Sequence, residues 1–264
     1  MGVLNLTPDS FYDGGKYPDV DSALRQTEKM VNEGADIIDI GGESTRPGSS
    51  PVSEQEELRR VIPALREISK RFDIPLSIDT TKSGVARRAL QEGAAIVNDI
   101  SGLKFDPEIA DAVRDYGAGI VLTHTSSRPL DMQSKTEYGS LLDDILESLG
   151  RSVNTAEQKG ISSDSIMIDP GFGFGKTVEQ NLTLLKYLSK FLELGKPIMI
   201  GTSNKSFIGT VLNTPMEGRV QGTAATIAVG ILNGASVIRV HETAYMKSVS
   251  TMIDAILNIS HQTY

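Results

Sequence analysis

The 264-residue sequence contains no cysteine and no tryptophan, and only 5% of its residues are aromatic. Without cysteine the chain can form neither a disulfide framework nor a thiolate metal site. No apolar run approaches the roughly 20 residues that cross a bilayer. The formal net charge of -8 offers no overall attraction to nucleic acid or to an anionic membrane, so any anion site must be local. No export signal precedes the first apolar run, and we expect a cytoplasmic protein.

Eight short apolar runs, most of them rich in β-branched residues, are each followed by a segment of helical periodicity. Strands buried on both faces of a parallel sheet read in this way, and eight βα units are enough to close a barrel. We therefore predict an α/β fold, a TIM (βα)8 barrel forming a single domain over residues 1–264. The predicted strands are Val3–Leu6, Asp36–Ile40, Pro75–Ile78, Ala95–Val97, Gly119–Leu122, Ser165–Ile168, Pro197–Ile200 and Ser236–Val240.

The predicted helices have one apolar face, and six of them run into a glycine. A capping-box pattern at Ser53 and Glu56 predicts a further helix, in which Pro63 should cause a kink or limit the regular part. Three long connections follow predicted strands, at residues 7–20, 41–53 and 123–137, and we expect binding loops there. The other predicted helices are Asp21–Asn32, Ser83–Gln91, Pro107–Tyr116, Tyr138–Gln158, Val178–Leu194, Arg219–Asn233 and Tyr245–Ser260.

Polar side chains end several of the predicted strands, where barrels carry their chemistry. Asp79, Asn98 and Asp169 follow apolar runs directly, at positions where a carboxylate needs a partner to offset desolvation. Together they suit a heterocycle with several N–H donors, because one carboxylate accepts two parallel hydrogen bonds. Taken singly, each could instead cap the following helix or accept from loop backbone.

A second group of polar residues is cationic and includes Arg46, Arg239 and His241. With Thr45 and Asn5 it predicts a phosphate or pyrophosphate site in which Asn5 holds Mg2+ together with substrate oxygens and water. The alternatives are a solvated arginine and a histidine that is simply hydrogen-bonded at the barrel rim.

The glycine-rich run from Asp169 to Thr177 does not fit a nucleotide-binding motif. A phosphate-binding loop needs glycine where Pro170 stands, and a dinucleotide fingerprint starting at Gly171 needs Gly or Ala where Lys176 stands. What remains is a loop with two phenylalanines beside a carboxylate, which suits stacking on a flat ring. The alternative is an ordinary loop with one buried phenylalanine.

In seven segments, spread in order over nearly the whole chain, the sequence resembles dihydropteroate synthases. This resemblance implies a TIM barrel that condenses 6-hydroxymethyl-7,8-dihydropterin diphosphate with 4-aminobenzoate in folate biosynthesis. Diphosphate would leave in an SN1-like, Mg2+-assisted step, and sulfonamides would act as aminobenzoate mimics. The segments are Met1–Phe11, Asp39–Gly48, Ser77–Thr80, Asn98–Ile100, Asp169–Lys176, Ser203–Lys205 and Arg239–His241.

The resemblance also assigns roles to individual residues. It implies that four residues, which we call the ring set, bind the pterin and take part in catalysis, while Arg239 lies against the pterin ring. The ring set is Asp79, Asn98, Asp169 and Lys205. A second group, which we call the anion set, would bind the diphosphate, with Asn5 as the Mg2+ ligand. The anion set is Asn5, Thr45, Arg46, Arg239 and His241. The 4-aminobenzoate pocket would be formed by Phe11, Pro47, Phe174 and Ser203.

Three positions depart from the family pattern: Asn204 replaces an arginine, Glu242 replaces an aspartate, and the segment Thr123–Pro129 differs after the fifth strand. Two other functions share the barrel. A pterin-dependent, corrinoid methyltransferase needs no diphosphate site, and a non-catalytic pterin-binding paralogue would not need an intact anion set. The resemblance further implies a homodimer formed through late helices, and small-molecule substrates rather than nucleic acid or membrane.

Overall fold

The computed structural model describes residues 1–7, 20–46 and 48–259. It contains a sheet of eight parallel strands in which each strand pairs with the next along the chain. The strand bounds differ from the predicted runs by no more than two residues. They are β1 Gly2–Asn5, β2 Ile38–Gly41, β3 Leu76–Asp79, β4 Ile96–Asp99, β5 Gly119–Thr123, β6 Ile166–Asp169, β7 Ile198–Ile200 and β8 Ala235–Ile238.

The sheet closes on itself through its first and last strands. Gly2 forms a parallel bridge with Val240, and the backbone N–H of Val3 donates to the carbonyl of Val240 at 3.0 Å. The N–H of Val240 in turn donates to the carbonyl of Met1 at 2.9 Å. The predicted TIM barrel is therefore confirmed.

Two apolar layers result from the alternation of side chains along each strand. Inside the barrel, Met1, Val121 and Met199 form a small buried cluster. The alternate positions, such as Ile120 and Leu122, face outward and join the large core between the sheet and the surrounding helices.

Nine α-helices surround the sheet in the described part of the chain. Their bounds are α1 Val20–Asn32, α2 Glu54–Arg71, α3 Ser83–Gln91, α4 Ile109–Tyr116, α5 Leu141–Gln158, α6 Val178–Lys186, α7 Ser206–Leu212, α8 Val220–Leu232 and α9 Thr243–Leu257. None of the helices in the described ranges is both long and apolar enough to cross a membrane.

Two helix predictions need correction, and one helix was not predicted. The helix predicted over Val178–Leu194 ends at Lys186, and a 3-10 helix covers Leu188–Leu194. Helix α7 was not predicted, because its seven residues are too few to show a helical period. Helix α2 continues on both sides of Pro63, so this proline does not limit the regular part. The Ser53 side chain accepts from the backbone N–H of Glu56 at 3.2 Å, which is one of the two hydrogen bonds of the predicted capping box.

The register of the strands brings the predicted polar ends to one edge of the barrel. Asp79 in β3 lies opposite Asn98 in β4, and Thr123 in β5 lies opposite Asp169 in β6. The connections that follow β2 and β5 meet above this edge, where the backbone N–H of Gly48 donates to the carbonyl of Pro129 at 3.0 Å.

Candidate functional site

A buried network centred on Arg239 connects the ends of four strands. The Arg239 Nε donates to Asp39 Oδ2 at 2.6 Å, and its Nη2 donates to Asp79 Oδ2 at 2.7 Å. Asn98 Nδ2 donates to the same Asp39 oxygen at 3.1 Å. Asp39 is fully buried and its Oδ1 has no partner among the described residues, as is also true of Asn98 Oδ1. Two hydrogen-bond acceptors therefore stay unpaired at the centre of the barrel mouth.

The charges of this network shift one another's pKa values. Burial raises the pKa of Asp79 to about 7, against the opposing effect of Arg239, and the carboxylate of Asp39 adds to the rise. Burial alone lowers the pKa of Arg239, but Asp39 and Asp79 outweigh it and raise that pKa. One guanidinium is thus shared between two carboxylates and stays charged.

Asp169 and Lys205 complete the ring set. Asp169 Oδ1 accepts from the backbone N–H of Gly171 at 2.7 Å. One of its two carboxylate oxygens therefore accepts from loop backbone, which is the alternative to ligand binding that the sequence left open. Burial raises the pKa of Asp169, and burial lowers the pKa of Lys205 to about 8. The charges of Arg239, Asp169 and Asp79 also act on Lys205. All four residues of the ring set therefore lie within electrostatic or hydrogen-bonding reach of the Arg239 network.

His241 and Ser203 form a pair at the rim of the barrel. Ser203 Oγ lies 3.0 Å from His241 Nδ1 and also accepts from the His241 backbone N–H at 3.2 Å. Partial desolvation lowers the pKa of His241 to about 4, and the positive charges of Arg239, Lys205 and Arg46 contribute. The lowered pKa favours a neutral imidazole in the free protein, where the sequence pattern predicts a cation, and the role of His241 toward a diphosphate stays a prediction. Ser203, which is predicted to line the aminobenzoate pocket, is therefore hydrogen-bonded to His241 of the anion set.

Asn5 and Thr45 lie beside the same opening. A Cβ placed on Gly41, at the end of β2, would lie 3.7 Å from Asn5 Oδ1 and 3.5 Å from Asp79 Cβ. Asn5 thus stands across Gly41 from the ring set. Thr45 lines a cavity with Asp79 and Ile100, while Arg46 is exposed.

The two phenylalanines of the glycine-rich loop have different surroundings. Phe172 is 1% exposed and belongs to the main core, which is the structural alternative that the sequence left open. Phe174 packs with Ile100 and Met132, and the Lys205 Nζ lies 4.3 Å from the centre of its ring. This cation–π contact places only Phe174 beside the candidate site.

A buried lysine ties the glycine-rich loop to the connection after β5. Lys176 Nζ donates to the carbonyls of Gly171 at 2.9 Å and Phe174 at 3.0 Å, and lies 3.1 Å from His124 Nδ1. Burial lowers the pKa of Lys176 to about 7 and that of His124 far below its usual range. His124 is therefore a neutral acceptor for Lys176, and this contact gives a structural role to one residue of the segment Thr123–Pro129, which departs from the family pattern.

Of the two single-residue departures from the family pattern, Asn204 has a local explanation and Glu242 has none. Asn204 has a φ of +58°, a left-handed conformation that asparagine tolerates better than most residues. Its backbone carbonyl accepts from Arg219 Nη1 at 2.9 Å, so an arginine still reaches this turn from the start of α8. Glu242 precedes α9 and makes no capping hydrogen bond with its side chain. Phe11 and Pro47 lie outside the described residues.

Asp39 is the site residue that sequence reasoning left without a role. It lies inside the apolar run of the second predicted strand, between Ile38 and Ile40, where a carboxylate is unusual. Its partners, Asn98 and Arg239, are distant in sequence, so no local pattern could connect them.

Comparison with known proteins decides the family. The family model described as "Pterin binding enzyme" matches residues 1–241. The dihydropteroate synthase of Clostridium beijerinckii is 46% identical over 258 residues, which cover 97% of this chain and 93% of that protein. The chain belongs to the dihydropteroate synthase family. Membership confirms the predicted activity class, a transferase of the dihydropteroate synthase type.

Solved dihydropteroate synthases also share the fold. The Yersinia pestis enzyme in a sulfonamide drug complex superimposes with a TM-score of 0.92 at 39% identity, covering 98% of this chain and 94% of that one. The Xanthomonas albilineans enzyme with 4-aminobenzoic acid gives a TM-score of 0.92 at 38% identity, covering 98% and 93%. These values confirm the predicted fold over almost the entire length.

Proposed function

We propose that this dihydropteroate synthase joins 6-hydroxymethyl-7,8-dihydropterin diphosphate to 4-aminobenzoate, with the ring set binding the pterin and the anion set binding the diphosphate. The observation that carries the proposal is the single buried network in which Arg239 contacts Asp39 and Asp79 while Asn98 donates to Asp39. This network leaves unpaired acceptors where a ring with N–H donors would enter.

The chemistry follows from the distribution of charge. The bond between the pterin methylene carbon and the diphosphate oxygen breaks, and its electron pair leaves with the diphosphate. Positive charge then develops on the pterin methylene, where the carboxylates of Asp79 and Asp169 stabilise it. The aminobenzoate nitrogen attacks that carbon with its lone pair and afterwards loses a proton to water.

Arg46 and Arg239 favour departure of the anion, because a guanidinium donates paired hydrogen bonds to phosphate oxygens. His241 is neutral in the free protein, but an arriving diphosphate favours its protonated form. The imidazole would therefore bind a proton together with the leaving group. Phe174 and Ser203 border the space for 4-aminobenzoate, together with the predicted Phe11 and Pro47.

The residues fit a magnesium ion of the kind that retains most of its water. The described part of the chain contains no group of three or more His, Asp or Glu residues that could hold a metal. Mg2+ commonly takes one or two protein oxygens and completes its shell with water and substrate phosphate, so Asn5 alone is a sufficient protein ligand. When bound there, Mg2+ supplies charge neutralisation to the diphosphate.

The late helices favour a homodimer. Helix α8 packs against both α7 and α9, and the outer faces of these helices carry exposed apolar side chains. Such a patch is typical of a protein–protein interface.

Sulfonamide binding is a further proposal, made because the Yersinia pestis relative is a sulfonamide complex. The single domain over residues 1–264 and the cytoplasmic location stay predictions.

A direct assay tests the proposed function. The protein is incubated with Mg2+, the pterin diphosphate and 4-aminobenzoate, and both diphosphate release and dihydropteroate formation are measured. We expect equal amounts of the two products. Release of neither product, in a sample that retains its far-ultraviolet circular dichroism, would contradict the proposal and favour a binding protein. A corrinoid methyltransferase would likewise release no diphosphate.

A further inference from the structure

Thr123 ends the fifth strand inside the candidate site, at a position to which neither the sequence nor the family comparison assigns a role. It lies opposite Asp169 in the register between β5 and β6. Val121, two residues earlier, belongs to the cluster inside the barrel, whereas Leu122 faces the outer core. By alternation, the Thr123 side chain points into the barrel mouth, on the same side as Asp169.

The Thr123 hydroxyl is buried without a hydrogen-bond partner. Thr123 is 1% exposed, and its Oγ1 has no partner among the described residues. By contrast, the neighbouring Thr125 hydroxyl donates to the carbonyl of Ser127 at 2.7 Å. A buried hydroxyl that pairs with nothing destabilises the folded state. Valine has the same shape and a high strand propensity, so packing alone gives no reason for an oxygen at this position.

Strand β5 lies between β4, which carries Asn98, and β6, which carries Asp169. Asn98 Oδ1 is also buried and unpaired. The two unpaired groups therefore belong to adjacent strands at the same edge of the barrel. A threonine hydroxyl both donates and accepts, whereas a carboxylate only accepts, so Thr123 can bind a ring acceptor that Asp169 cannot.

We infer that Thr123 is a further recognition residue, whose hydroxyl hydrogen-bonds the edge of the bound heterocycle that lies between Asn98 and Asp169. The inference rests on the proposed pterin site and adds to it a neutral group that is both donor and acceptor. It also gives the end of the fifth strand a role in selecting the ring rather than in binding the diphosphate.

The test compares three variants of the full chain. Thr123→Val removes only the hydroxyl, Thr123→Ser keeps it, and Thr27→Val makes the same change at a buried threonine of α1 whose hydroxyl donates to the carbonyl of Ala23. Calorimetry measures the Kd of 6-hydroxymethyl-7,8-dihydropterin for each. We expect Thr123→Val to weaken binding about three- to tenfold, and Thr123→Ser and Thr27→Val to stay within about twofold of wild type.

A second readout separates recognition from general disturbance. At saturating pterin diphosphate, the KM for 4-aminobenzoate should be the same in Thr123→Val and wild type. Equal pterin affinity in Thr123→Val and wild type would overturn the inference, and so would an equal loss in Thr27→Val. If Thr123→Val does not fold, Thr123→Ala is compared with Thr123→Ser by the same criterion. Failure of the wild-type protein to bind the pterin would contradict the proposed function itself.

Discussion

At the scale of single residues, the charges of the site differ from those that the sequence predicts. The sequence pattern predicts three cations in the anion set, but the pKa of His241 is lowered, which favours its neutral form, and Arg239 is paired with Asp39 and Asp79. Only Arg46 is left as an exposed cation of this set. Burial and neighbouring charge, which no local pattern reports, cause both differences.

The pKa values of the ring set predict how pterin binding depends on pH. The pKa of Asp79 is raised to about 7, so this carboxyl takes up a proton as the pH falls below 7 and can no longer accept two hydrogen bonds. We expect the Kd of 6-hydroxymethyl-7,8-dihydropterin to rise about tenfold as the pH is lowered from 7.5 to 6. Calorimetry at several pH values measures this, with a ligand that carries no titrating phosphate.

The matched variant is Asp79→Asn, which cannot titrate at this position. Its pterin affinity should be lower than that of wild type but nearly constant between pH 6 and pH 7.5. A wild-type Kd that does not change over this range would contradict the prediction. A dependence that persists in Asp79→Asn would assign the titration to another carboxyl, such as Asp169, whose pKa is also raised.

At the scale of secondary-structure elements, the connection after β5 supports two of its neighbours. Its Pro129 carbonyl accepts from Gly48 in the connection after β2, and its Gln133 Nε2 donates to the carbonyl of Gly173 at 2.9 Å. Tyr138, just beyond it, donates from its hydroxyl to the carbonyl of Gly175 at 3.0 Å. The connection after β5 thus helps to position the glycine-rich loop.

The close approach of these segments explains why the glycine-rich loop needs glycine at position 171. Gly171 has a φ of +78°, and a Cβ built there would lie 1.8 Å from the His124 carbonyl oxygen. We expect Gly171→Ala to lower the free energy of unfolding by about 3 kcal/mol, from backbone strain and this steric clash together. Urea denaturation measures the change.

Gly117 provides the matched control. It has a φ of +60° at the end of α4, but a Cβ built there meets nothing within 4 Å. Gly117→Ala should therefore cost only the conformational strain, about 1–2 kcal/mol. Equal costs for the two variants would show that the contact with His124 adds nothing to the stability of the loop.

At the scale of the whole molecule, the two sides of the barrel differ in their surface chemistry. The polar strand ends open on one side, while helices α7, α8 and α9 expose a late-helix patch of apolar side chains. The patch consists of Val211, Leu212, Val229, Leu232, Met252 and Ile256. Met246, also in α9, is fully buried against Ile227 and Val240 and is not part of this patch.

We expect Met252→Glu to weaken the proposed homodimer at least about tenfold, because an unpaired charge would be buried in the interface. Sedimentation velocity at several protein concentrations measures the monomer–dimer Kd. Tyr116→Glu places the same charge at an exposed aromatic residue of α4, outside the patch, and should leave the dimer intact. A wild-type protein that stays monomeric at micromolar concentration, or equal weakening by both variants, would refute this interface.

Much of the fold could be predicted from the sequence because its signals are local. An apolar run followed by a polar residue marks a barrel strand wherever it occurs, and the strand bounds were accurate to two residues. Helix α7 was missed because seven residues carry little periodicity. The change to a 3-10 helix after Lys186 was missed because the apolar pattern continues through it.

Sequence patterns alone were enough to predict the barrel, the edge at which Asp79, Asn98 and Asp169 meet, and the family. The three-dimensional fold was needed to see that Asp39 shares Arg239 with Asp79, that the pKa of His241 is lowered, and that Thr123 has an unpaired hydroxyl. The difference lies in distance along the chain. Strand formation depends on neighbouring residues, whereas a hydrogen bond or a pKa depends on groups that folding brings from 160 or 200 residues away.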